Sequence, residues 1–396
     1  MKKSVRDADA SGRRVLVRAD LNVPLEDGDD GSVMVGDETR IRASLPTIEL
    51  LRDQGARVVV VSHLGRPEGE DPSLSMKPVA ERLGELLGAD VALAPAVVGP
   101  EVESMAEGLA AGEVMVLENS RFEKGEAEDD PELAKALAAV ADVYVNDAFG
   151  AAHRAHATTH GVAKHLPGHA GLLLERELEE LTKVRDGAER PLVMVLGGSK
   201  VTDKIGVIDR FLDEADEILI GGAMCFSFFK AEGRDVGNSL VDDASVEAAK
   251  QVLPEAGEAQ AVLHLPEDLV LGREFDEGTE IKDLNGIDVP EGWIGLDIGT
   301  NTAAKYAKRI AGAGTVFWNG PMGAFELPPF AVGTRVVAEA VAGAKGHSVV
   351  GGGDSAAALV QFGLGDDVNW LSTGGGASLS FIEGVELPGV EALADA

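Results

Sequence analysis

The sequence contains 396 residues, of which 68 are acidic and 35 basic, so its formal net charge at pH 7 is -33. This length favours two domains, because a single core rarely grows beyond about 250–300 residues. The negative charge argues against nucleic-acid binding, which needs a basic face, and the single Cys225 excludes an internal disulfide or a cysteine-based zinc site. The sequence shows no signal-peptide core and no apolar run of about 18 residues, so we expect a cytoplasmic protein without a membrane span.

The acidic residues are dispersed along the chain rather than gathered in one tail, in stretches such as EDGDDG, EKGEAEDDPE and PEDLVLGREFDEGTE. Dispersed like charges repel one another at low ionic strength. At molar salt the Debye length falls to roughly 3 Å, and this repulsion is screened. We therefore expect an acidic surface adapted to high salt; a merely very soluble acidic protein is the alternative.

Short β-branched runs alternate with helical patterns along the chain. The runs are VLVRADL, ARVVVVSHL, EVMVLENS and DVYVNDAF, followed by PLVMVLGG, EILIGGA, TVFWNG and HSVVGGG. Near-continuous apolar runs of this kind predict parallel strands covered by helices on both faces. The amphipathic stretch LLLERELEELTKVRDGAERP separates the two sets of strands and predicts an interdomain helix at 171–187. The expected fold is α/β, with two doubly wound, Rossmann-like domains at 1–170 and 188–376.

Basic residues follow the predicted strands of the first half, although the chain as a whole has few of them. They are Arg18, Arg40, Arg42, His63, Arg66, Arg121, His153, Arg154, His156 and His160. Ligands bind outside the carboxyl ends of strands in open parallel sheets, and the planar guanidinium fork matches phosphate and carboxylate oxygens. The pattern predicts a site for a small, multiply anionic ligand; each Arg alone could also be a surface ion pair. The histidines have no carboxylate in their own segment, which favours substrate orientation or loop structure over metal binding.

Glycine-rich turns follow the strands of the second half, in GGSKVTDK, GGA, NGPMGAFE, GGGDS and STGGGASL. Such turns permit close backbone approach to a ligand, and five of them in one domain predict a nucleotide cradle. Lys200 and Lys204 would share one face if a helix begins there, and their ammonium groups suit a polyphosphate. The chain contains no P-loop pattern.

Asp354 opens a predicted helix after GGGDS, where a helix N-terminus would ordinarily attract an anion. Either its carboxylate caps the helix, or a cation lies between it and nucleotide phosphates, for which Mg²⁺ is suited. The same turn fits G-x-G-x-x-A through Gly351, Gly353 and Ala356, so a nicotinamide-dependent dehydrogenase is an alternative. That pattern requires an acid about 20 residues later, where STGGG has none.

In this order, RADLNVP, SHLGRP, HRAH, GGSKVTDK, WNGPMGAFE, GGGDS and STGGGASL resemble the motifs of phosphoglycerate kinases, and the resemblance spans nearly the whole chain. It implies a glycolytic and gluconeogenic kinase that transfers a phosphoryl group from 1,3-bisphosphoglycerate to MgADP, giving 3-phosphoglycerate and MgATP. It also implies a monomer, in-line transfer after hinge closure, and a C-terminal segment, 377–396, that returns to the N-terminal domain. A catalytically silent binding protein on this scaffold is the remaining alternative.

The resemblance implies roles for individual residues. Substrate-binding residues would be Asp20, Leu21, Asn22, Arg40, His63, Leu64, Gly65, Arg66, Arg121 and Arg154. Nucleotide-binding residues would be Gly198, Lys200, Lys204, Gly295, Asn319, Pro321, Glu326, Gly352, Gly353, Asp354 and Ser355. Asp354 would also hold Mg²⁺, and the transferring phosphoryl group would be stabilised by Arg40, Lys200, Gly375 and Gly376.

Two positions depart from the family pattern. Ala223 stands where members commonly have a third glycine, a difference that would affect the packing of the adenine. Glu386 stands where Lys is frequent, a difference that would affect packing at the hinge rather than the chemistry. The chemistry itself needs no general base, because the carboxylate nucleophile of the reverse reaction is already ionised at pH 7. This agrees with a sequence in which we find no Asp–His or Ser–His dyad.

Overall fold

The structure, a computed structural model, describes residues 2–28 and 33–396. Internal contacts divide the chain into two compact units: residues up to Glu179 together with Glu386–Ala396, and Glu180–Val385. The division falls inside the helix that was predicted between the domains. The predicted returning segment starts at 377, whereas residues 376–383 form a helix within the second unit and only Glu386–Ala396 belongs to the first.

The first unit is built on a six-stranded parallel sheet of order β5-β6-β4-β1-β7-β8, with a separate antiparallel hairpin, β2-β3. Its elements are β1 (Arg14–Arg18), β2 (Leu25–Asp27), β3 (Val33–Val35), α1 (Thr39–Asp53), β4 (Arg57–Val61), α2 (Lys77–Leu87), β5 (Val91–Leu93), α3 (Pro100–Gly108), β6 (Val114–Val116), α4 (Pro131–Ala139), β7 (Val143–Asn146) and β8 (Gly168–Ala170). Helix α5 (Leu172–Arg185) contains the division between the units.

The second unit contains another six-stranded parallel sheet, β11-β10-β9-β15-β16-β17, and an antiparallel three-stranded sheet, β13-β12-β14. Its elements are β9 (Leu192–Leu196), α6 (Ile205–Glu214), β10 (Glu217–Ile220), α7 (Cys225–Ala231), α8 (Asp243–Ala256), β11 (Val262–His264), β12 (Leu269–Gly272), β13 (Ile281–Leu284), β14 (Ile294–Ile298), α9 (Thr300–Ala311), β15 (Thr315–Asn319), α10 (Val332–Ala342), β16 (His347–Gly351), α11 (Gly353–Phe362), β17 (Trp370–Leu371) and α12 (Gly376–Glu383). Helix α13 (Pro388–Glu391) belongs to the first unit.

The central strands of both parallel sheets are buried on both faces. Residues 58–61 of β4 are fully buried, and all five residues of β9 and of β15 are buried. This double burial explains why these strands appear in the sequence as continuous apolar runs. The predicted fold class is confirmed, and the eight predicted runs coincide with β1, β4, β6, β7, β9, β10, β15 and β16.

The antiparallel elements were not predicted. The hairpin β2-β3 and the sheet β13-β12-β14 include strands with mostly exposed residues, such as β3 and β13. Strand β13 has the sequence IKDL and carries no continuous apolar run, so the pattern that identified the parallel strands is missing there. Strands β3 (VMV) and β12 (LVLG) do carry short apolar runs and were not predicted all the same.

Parallel register brings the strand ends of each sheet to one edge. Arg18, the last residue of β1, pairs with Val61 of β4 and Asn146 of β7. In the second unit Asn319, the last residue of β15, pairs with Leu196 and Gly351. The loops that follow these strands therefore begin side by side. No helix in the described part of the chain is long and apolar enough to cross a membrane.

Candidate functional site

Hydrogen bonds join the predicted anion-binding loops of the first unit. Asn22 Oδ1 accepts the Gly65 N–H at 2.8 Å, and Arg121 donates to the Gly65 carbonyl oxygen. Gly65 has a φ of +61°, which glycine adopts without a steric penalty. Asp20 forms an ion pair with Arg40 at 2.8 Å. Residues predicted from separate segments of the sequence are thus in direct contact.

A cavity of about 590 Å³ beside this loop is lined by three predicted arginines, Arg66, Arg121 and Arg154. His156 and Lys124 also line it, together with the acidic residues Glu68, Glu123, Glu126 and Glu128. The other seven predicted substrate residues lie outside its lining, namely Asp20, Leu21, Asn22, Arg40, His63, Leu64 and Gly65. The Gly65 hydrogen bonds connect Asn22 to the cavity residue Arg121.

Two predicted substrate residues, Leu21 and Leu64, lie in the core. Their exposed fractions are 0% and 1%. Their N–H groups already have acceptors, because Leu21 donates to Ser62 Oγ at 2.9 Å and Leu64 donates to Asn119 Oδ1 at 3.0 Å. These two residues hold the loops in place, while polar neighbours are left to face a ligand.

Burial and neighbouring guanidinium groups favour neutral histidines in this cluster. Burial is the main reason that the pKa of His63 lies well below its ordinary value, and the charges of Arg18 and Arg121 add to the effect. Burial, again followed by those arginines, lowers the pKa of His156 to about 4. Burial also lowers the pKa of Arg121, with Arg154 as the next cause. Positive charge here comes from the arginines and Lys124 rather than from histidine, which suits a multiply anionic ligand.

A second cavity, of about 230 Å³, lies beyond the carboxyl ends of β9, β15 and β16. Most of the predicted nucleotide and catalytic residues line it, namely Gly198, Lys200, Lys204, Asn319, Gly352, Gly353, Asp354, Ser355, Gly375 and Gly376. Backbone packs on backbone beside it: a Cβ on Gly222, whose φ is +66°, would lie 2.5 Å from Gly198 N and 2.7 Å from the Pro321 carbonyl oxygen. Only glycine permits so close an approach of these turns.

The two lysines of GGSKVTDK have different environments and do not share a helix face. Helix α6 begins at Ile205, after both of them. Lys204 is 9% exposed, its Nζ donates to Asn319 Oδ1, and burial lowers its pKa. The nearby carboxylates of Asp203 and Asp354 oppose that lowering. Lys200, by contrast, is exposed.

Asp354 lies in the first turn of α11 but does not cap it. The N-cap residue is Gly352, and no side chain makes a capping hydrogen bond. The exposed carboxylate of Asp354 lines the glycine-rich cavity. Among residues 2–28 and 33–396, no group of three His, Cys, Asp or Glu could hold a metal ion. A metal at Asp354 would therefore need ligands from a bound molecule, as Mg²⁺ takes them from nucleotide phosphates.

The backbone N–H groups of the glycines after β17 differ in their hydrogen bonding. Gly374 N–H donates to Ser372 Oγ at 3.1 Å, and the hydroxyls of Ser372 and Ser378 are 2.6 Å apart. Gly375 and Gly376 stand at the beginning of α12, with Gly375 at a φ of +53°. The first N–H groups of a helix have no acceptor within the helix, so Gly375 and Gly376 are the pair suited to an anion.

Gly295, in β14, lines a smaller cavity of about 50 Å³ with Ala223, Phe226 and Met322. A Cβ on Gly295 would collide with the Phe226 ring. Glycine is needed here because the aromatic ring lies against the strand backbone.

Two predicted nucleotide residues, Pro321 and Glu326, line none of these cavities. Pro321 contributes its carbonyl oxygen, which accepts the Gly198 N–H at 3.0 Å. Glu326 is exposed in the loop between β15 and α10.

Several acidic residues of these clusters were not predicted from the sequence. Glu126, 1% exposed, lines the first cavity, and Asp203 lines the second. Asp297 lines the smallest, and burial raises its pKa to about 8. The sequence signal for Asp297 was an acid inside the apolar run IGLDIG. The signal for Asp203 was an acid next to a lysine in the glycine-rich turn GGSKVTDK.

The chain thus contains two units, each built on a parallel sheet. Arginines line a cavity in the first unit, and glycines and lysines line a cavity in the second. Residues 5–385 match the family described as phosphoglycerate kinase, and the chain belongs to this family. The phosphoglycerate kinase of Coxiella burnetii is 39% identical, with a TM-score of 0.88 over 99% of this chain and 98% of that one. The phosphoglycerate kinase of Pyrococcus horikoshii OT3 is 33% identical, with a TM-score of 0.83 over the same fractions.

Membership of this family makes the chain an ATP-dependent phosphotransferase of glycolysis, with phosphoglycerate and adenine nucleotide as small-molecule substrates. The two alternatives considered from the sequence, a nicotinamide-dependent dehydrogenase and a catalytically silent scaffold, receive no support from these similarities.

Proposed function

We propose that the two clusters divide the substrates of the phosphoglycerate kinase reaction between them. The basic cluster of the first unit binds 3-phosphoglycerate or 1,3-bisphosphoglycerate through Asp20, Asn22, Arg40, His63, Arg66, Arg121 and Arg154. The observation that carries this assignment is that Arg66, Arg121 and Arg154 line one cavity in a chain of net charge -33. Guanidinium groups concentrated against the overall charge are what a ligand with phosphate and carboxylate oxygens requires.

The glycine-lined cavity of the second unit binds ADP or ATP in this proposal. Lys204 and Asn319 face the phosphates, and the turn Gly352–Ser355 brings backbone N–H groups close to them. Asp354 fits as the protein ligand of Mg²⁺, because its carboxylate is exposed, lines the cavity and is free of a capping role. Bound Mg²⁺ neutralises charge on the phosphate oxygens and holds them in a defined geometry.

Catalysis by this chain rests on positioning and on stabilising charge, because the attacking carboxylate of 3-phosphoglycerate is already ionised. We assign stabilisation of the transferring phosphoryl oxygens to Arg40, Lys200 and the N–H groups of Gly375 and Gly376. Hinge closure is part of the proposal, since an acyl phosphate hydrolyses if water enters. The proposal also includes a monomeric, cytoplasmic enzyme without a nucleic-acid partner and with an acidic surface adapted to salt.

The proposed function is tested by acyl-phosphate formation from ATP and 3-phosphoglycerate, trapped with hydroxylamine. The reaction is run with and without Mg²⁺ and from low to molar KCl. We expect product only when both substrates and Mg²⁺ are present, and more of it at high salt. Product that is largest at low salt would refute the salt adaptation alone. Protein that is folded but forms no product at any salt would refute the kinase assignment.

A further inference from the structure

A buried carboxylate, Glu126, underlies the basic cluster and is 1% exposed. Its Oε1 accepts the Thr158 hydroxyl at 2.6 Å, and its Oε2 accepts the Thr158 N–H at 3.0 Å. The Ser120 hydroxyl donates to Oε1 at 3.3 Å. Glu126 therefore connects the segment that carries Arg121 with the segment that carries Arg154 and His156.

Thr158 in turn is hydrogen-bonded to Arg18. Arg18 is fully buried, and its Nε donates to Thr158 Oγ1 at 3.2 Å. Its Nη1 donates to the Ala19 carbonyl oxygen at 2.6 Å, and its Nη2 lies 3.0 Å from His63 Nδ1. The Tyr144 hydroxyl donates to the Thr158 carbonyl oxygen at 2.8 Å, which holds the threonine backbone in place.

The direction of each hydrogen bond in this chain follows from the chemistry of the groups. An ionised Glu126 accepts only, so the Thr158 hydroxyl hydrogen points toward it and an oxygen lone pair is left for Arg18. Guanidinium has no acceptor, so His63 Nδ1 must accept from Arg18. The neutral ring then carries its hydrogen on Nε2.

We propose that Glu126 and Thr158 are positioning residues for substrate, which act through Arg18 to hold His63 as the neutral tautomer with its hydrogen on Nε2. In this form His63 donates a hydrogen bond to an oxygen of the bound phosphoglycerate. The inference rests on the proposed function, because it assumes that the basic cluster binds that substrate. The lowered pKa of His63, caused first by burial and then by Arg18, agrees with a neutral ring.

Thr158→Val is the decisive variant, because it keeps the shape of the side chain and removes the hydroxyl between Glu126 and Arg18. We expect KM for 3-phosphoglycerate to rise about tenfold, the scale of one lost hydrogen bond to a charged group. KM for ATP should change less than about twofold. A two-bond proton–nitrogen spectrum of the histidine rings, with His63 assigned by its absence in His63→Gln, should show a single tautomer in the wild type and a mixture in Thr158→Val.

Two further variants serve as controls. Thr158→Ser keeps the hydroxyl and should restore both KM and the His63 spectrum. Thr315→Val makes the same change at a buried threonine, 2% exposed, at the start of β15 in the second unit. It should leave KM for 3-phosphoglycerate and the His63 spectrum unchanged, which separates the chain of hydrogen bonds from a general effect of Thr-to-Val substitution.

Unchanged KM values together with an unchanged His63 tautomer in Thr158→Val would overturn the inference. So would a parallel rise of both KM values, or Thr158→Ser behaving like Thr158→Val, because either result describes a structural residue only. Arg121→Ala tests the underlying function separately. If it leaves KM for 3-phosphoglycerate unchanged, the assignment of the basic cluster to that substrate fails, while the His63 spectrum, which needs no substrate, still decides the hydrogen-bond chain.

Discussion

The two clusters differ in which side chains carry charge and in the sign of the charges around them. In the first unit, burial and arginines lower the pKa of His63 and His156, so the positive charge is left to guanidinium groups. In the second unit, a buried lysine, Lys204, has Asp203 and Asp354 as opposing charges. In the proposed function, the guanidinium groups of the first cluster therefore serve an anion, and the Asp354 carboxylate of the second cluster serves a cation.

Asp354→Asn tests the metal role, because it removes the charge while leaving the shape. Since Asp354 does not cap α11, we expect little change in melting temperature and a loss of activity of about 10- to 100-fold at limiting Mg²⁺, the scale of a disturbed metal site. Initial rates are measured over a range of Mg²⁺ concentrations. Asp366→Asn, at another exposed acid of the second unit, is the control and should match the wild type. Wild-type turnover of Asp354→Asn at limiting Mg²⁺ would contradict the metal role.

His156 makes stability depend on pH in a predictable direction. Its pKa is about 4 in the folded protein and ordinarily 6.5, so the unfolded chain takes up the proton first. Its contribution is complete above pH 6.5 and is lost as the pH falls toward 4. Relative to His156→Gln, the wild type should lose about 1–2 kcal/mol of unfolding free energy between pH 7.5 and roughly 5.

Urea denaturation of the two proteins at several pH values measures this difference. The comparison with His156→Gln is needed because burial raises the pKa of Asp147 to about 7 and of Asp297 to about 8. The contribution of these two aspartates to the free energy of unfolding falls as the pH rises, whereas that of His156 increases. Parallel curves for wild type and variant would refute the role given to His156.

At the scale of elements, the start of α5 depends on side chains from elsewhere in the first unit. Asp147 Oδ1 accepts the N–H groups of Leu173 at 2.9 Å and Leu174 at 3.3 Å. Thr47 Oγ1 accepts the Leu172 N–H at 2.9 Å. Every helix start has N–H groups without an acceptor in the helix, and here they are satisfied by Asp147, the residue after β7, and by Thr47 of α1.

Asp147→Ala should lower the free energy of unfolding by about 1–2 kcal/mol, because the helix start loses its acceptor. Asp147→Asn keeps an acceptor and should cost less. The folded pKa of Asp147, about 7, lies above its ordinary 3.8, so its contribution is complete below about pH 4 and is lost as the pH rises through 7. Asp147→Asn should therefore gain on the wild type over this range. Urea denaturation that shows no such gain would contradict the assignment.

The packed glycine turns of the second unit give a matched pair of substitutions. Gly222 and Gly233 both have positive φ, +66° and +82°, but a Cβ meets backbone 2.5 Å away at Gly222 and nothing within 4 Å at Gly233. Gly233→Ala should cost about 1 kcal/mol from backbone conformation alone. Gly222→Ala should cost more and raise KM for ATP, because the turns beside the cavity must separate. Equal effects of the two substitutions on melting temperature and KM would show that the turn packing is unimportant.

At the scale of the whole molecule, the net charge of -33 is the dominant property. Its self-repulsion opposes the compact state, and salt screens it as the Debye length falls from about 30 Å at 0.01 M to about 3 Å at 1 M. We expect the melting temperature to rise by at least about 5 °C from low to molar KCl. Calorimetry or circular dichroism measures it, with sorbitol of equal osmolality as the uncharged control. A melting temperature that is flat or falls with KCl would refute the salt adaptation.

The central strands could be predicted from the sequence alone, and so could most of the residues that line the glycine-rich cavity. Of the residues that line the first cavity, only Arg66, Arg121, Arg154 and His156 were predicted. Strands buried on both faces, such as β4 and β9, must be continuously apolar, so their own sequence is enough to identify them. Once the strands were located, the residues that follow them, such as His63 and Gly198, could be predicted as ligand-binding residues. Ligands bind at the carboxyl ends of parallel strands. The order of the motifs was sufficient for the family.

Only the tertiary structure decided which of these residues meet and in what state of burial. Leu21 and Leu64 lie in the core, and Lys204 is buried against Asn319, 115 residues away in the chain. The chain from Glu126 through Thr158 to Arg18 joins residues 32 and 140 positions apart. Contacts over such separations depend on strand register and loop packing, which no local pattern of residues records.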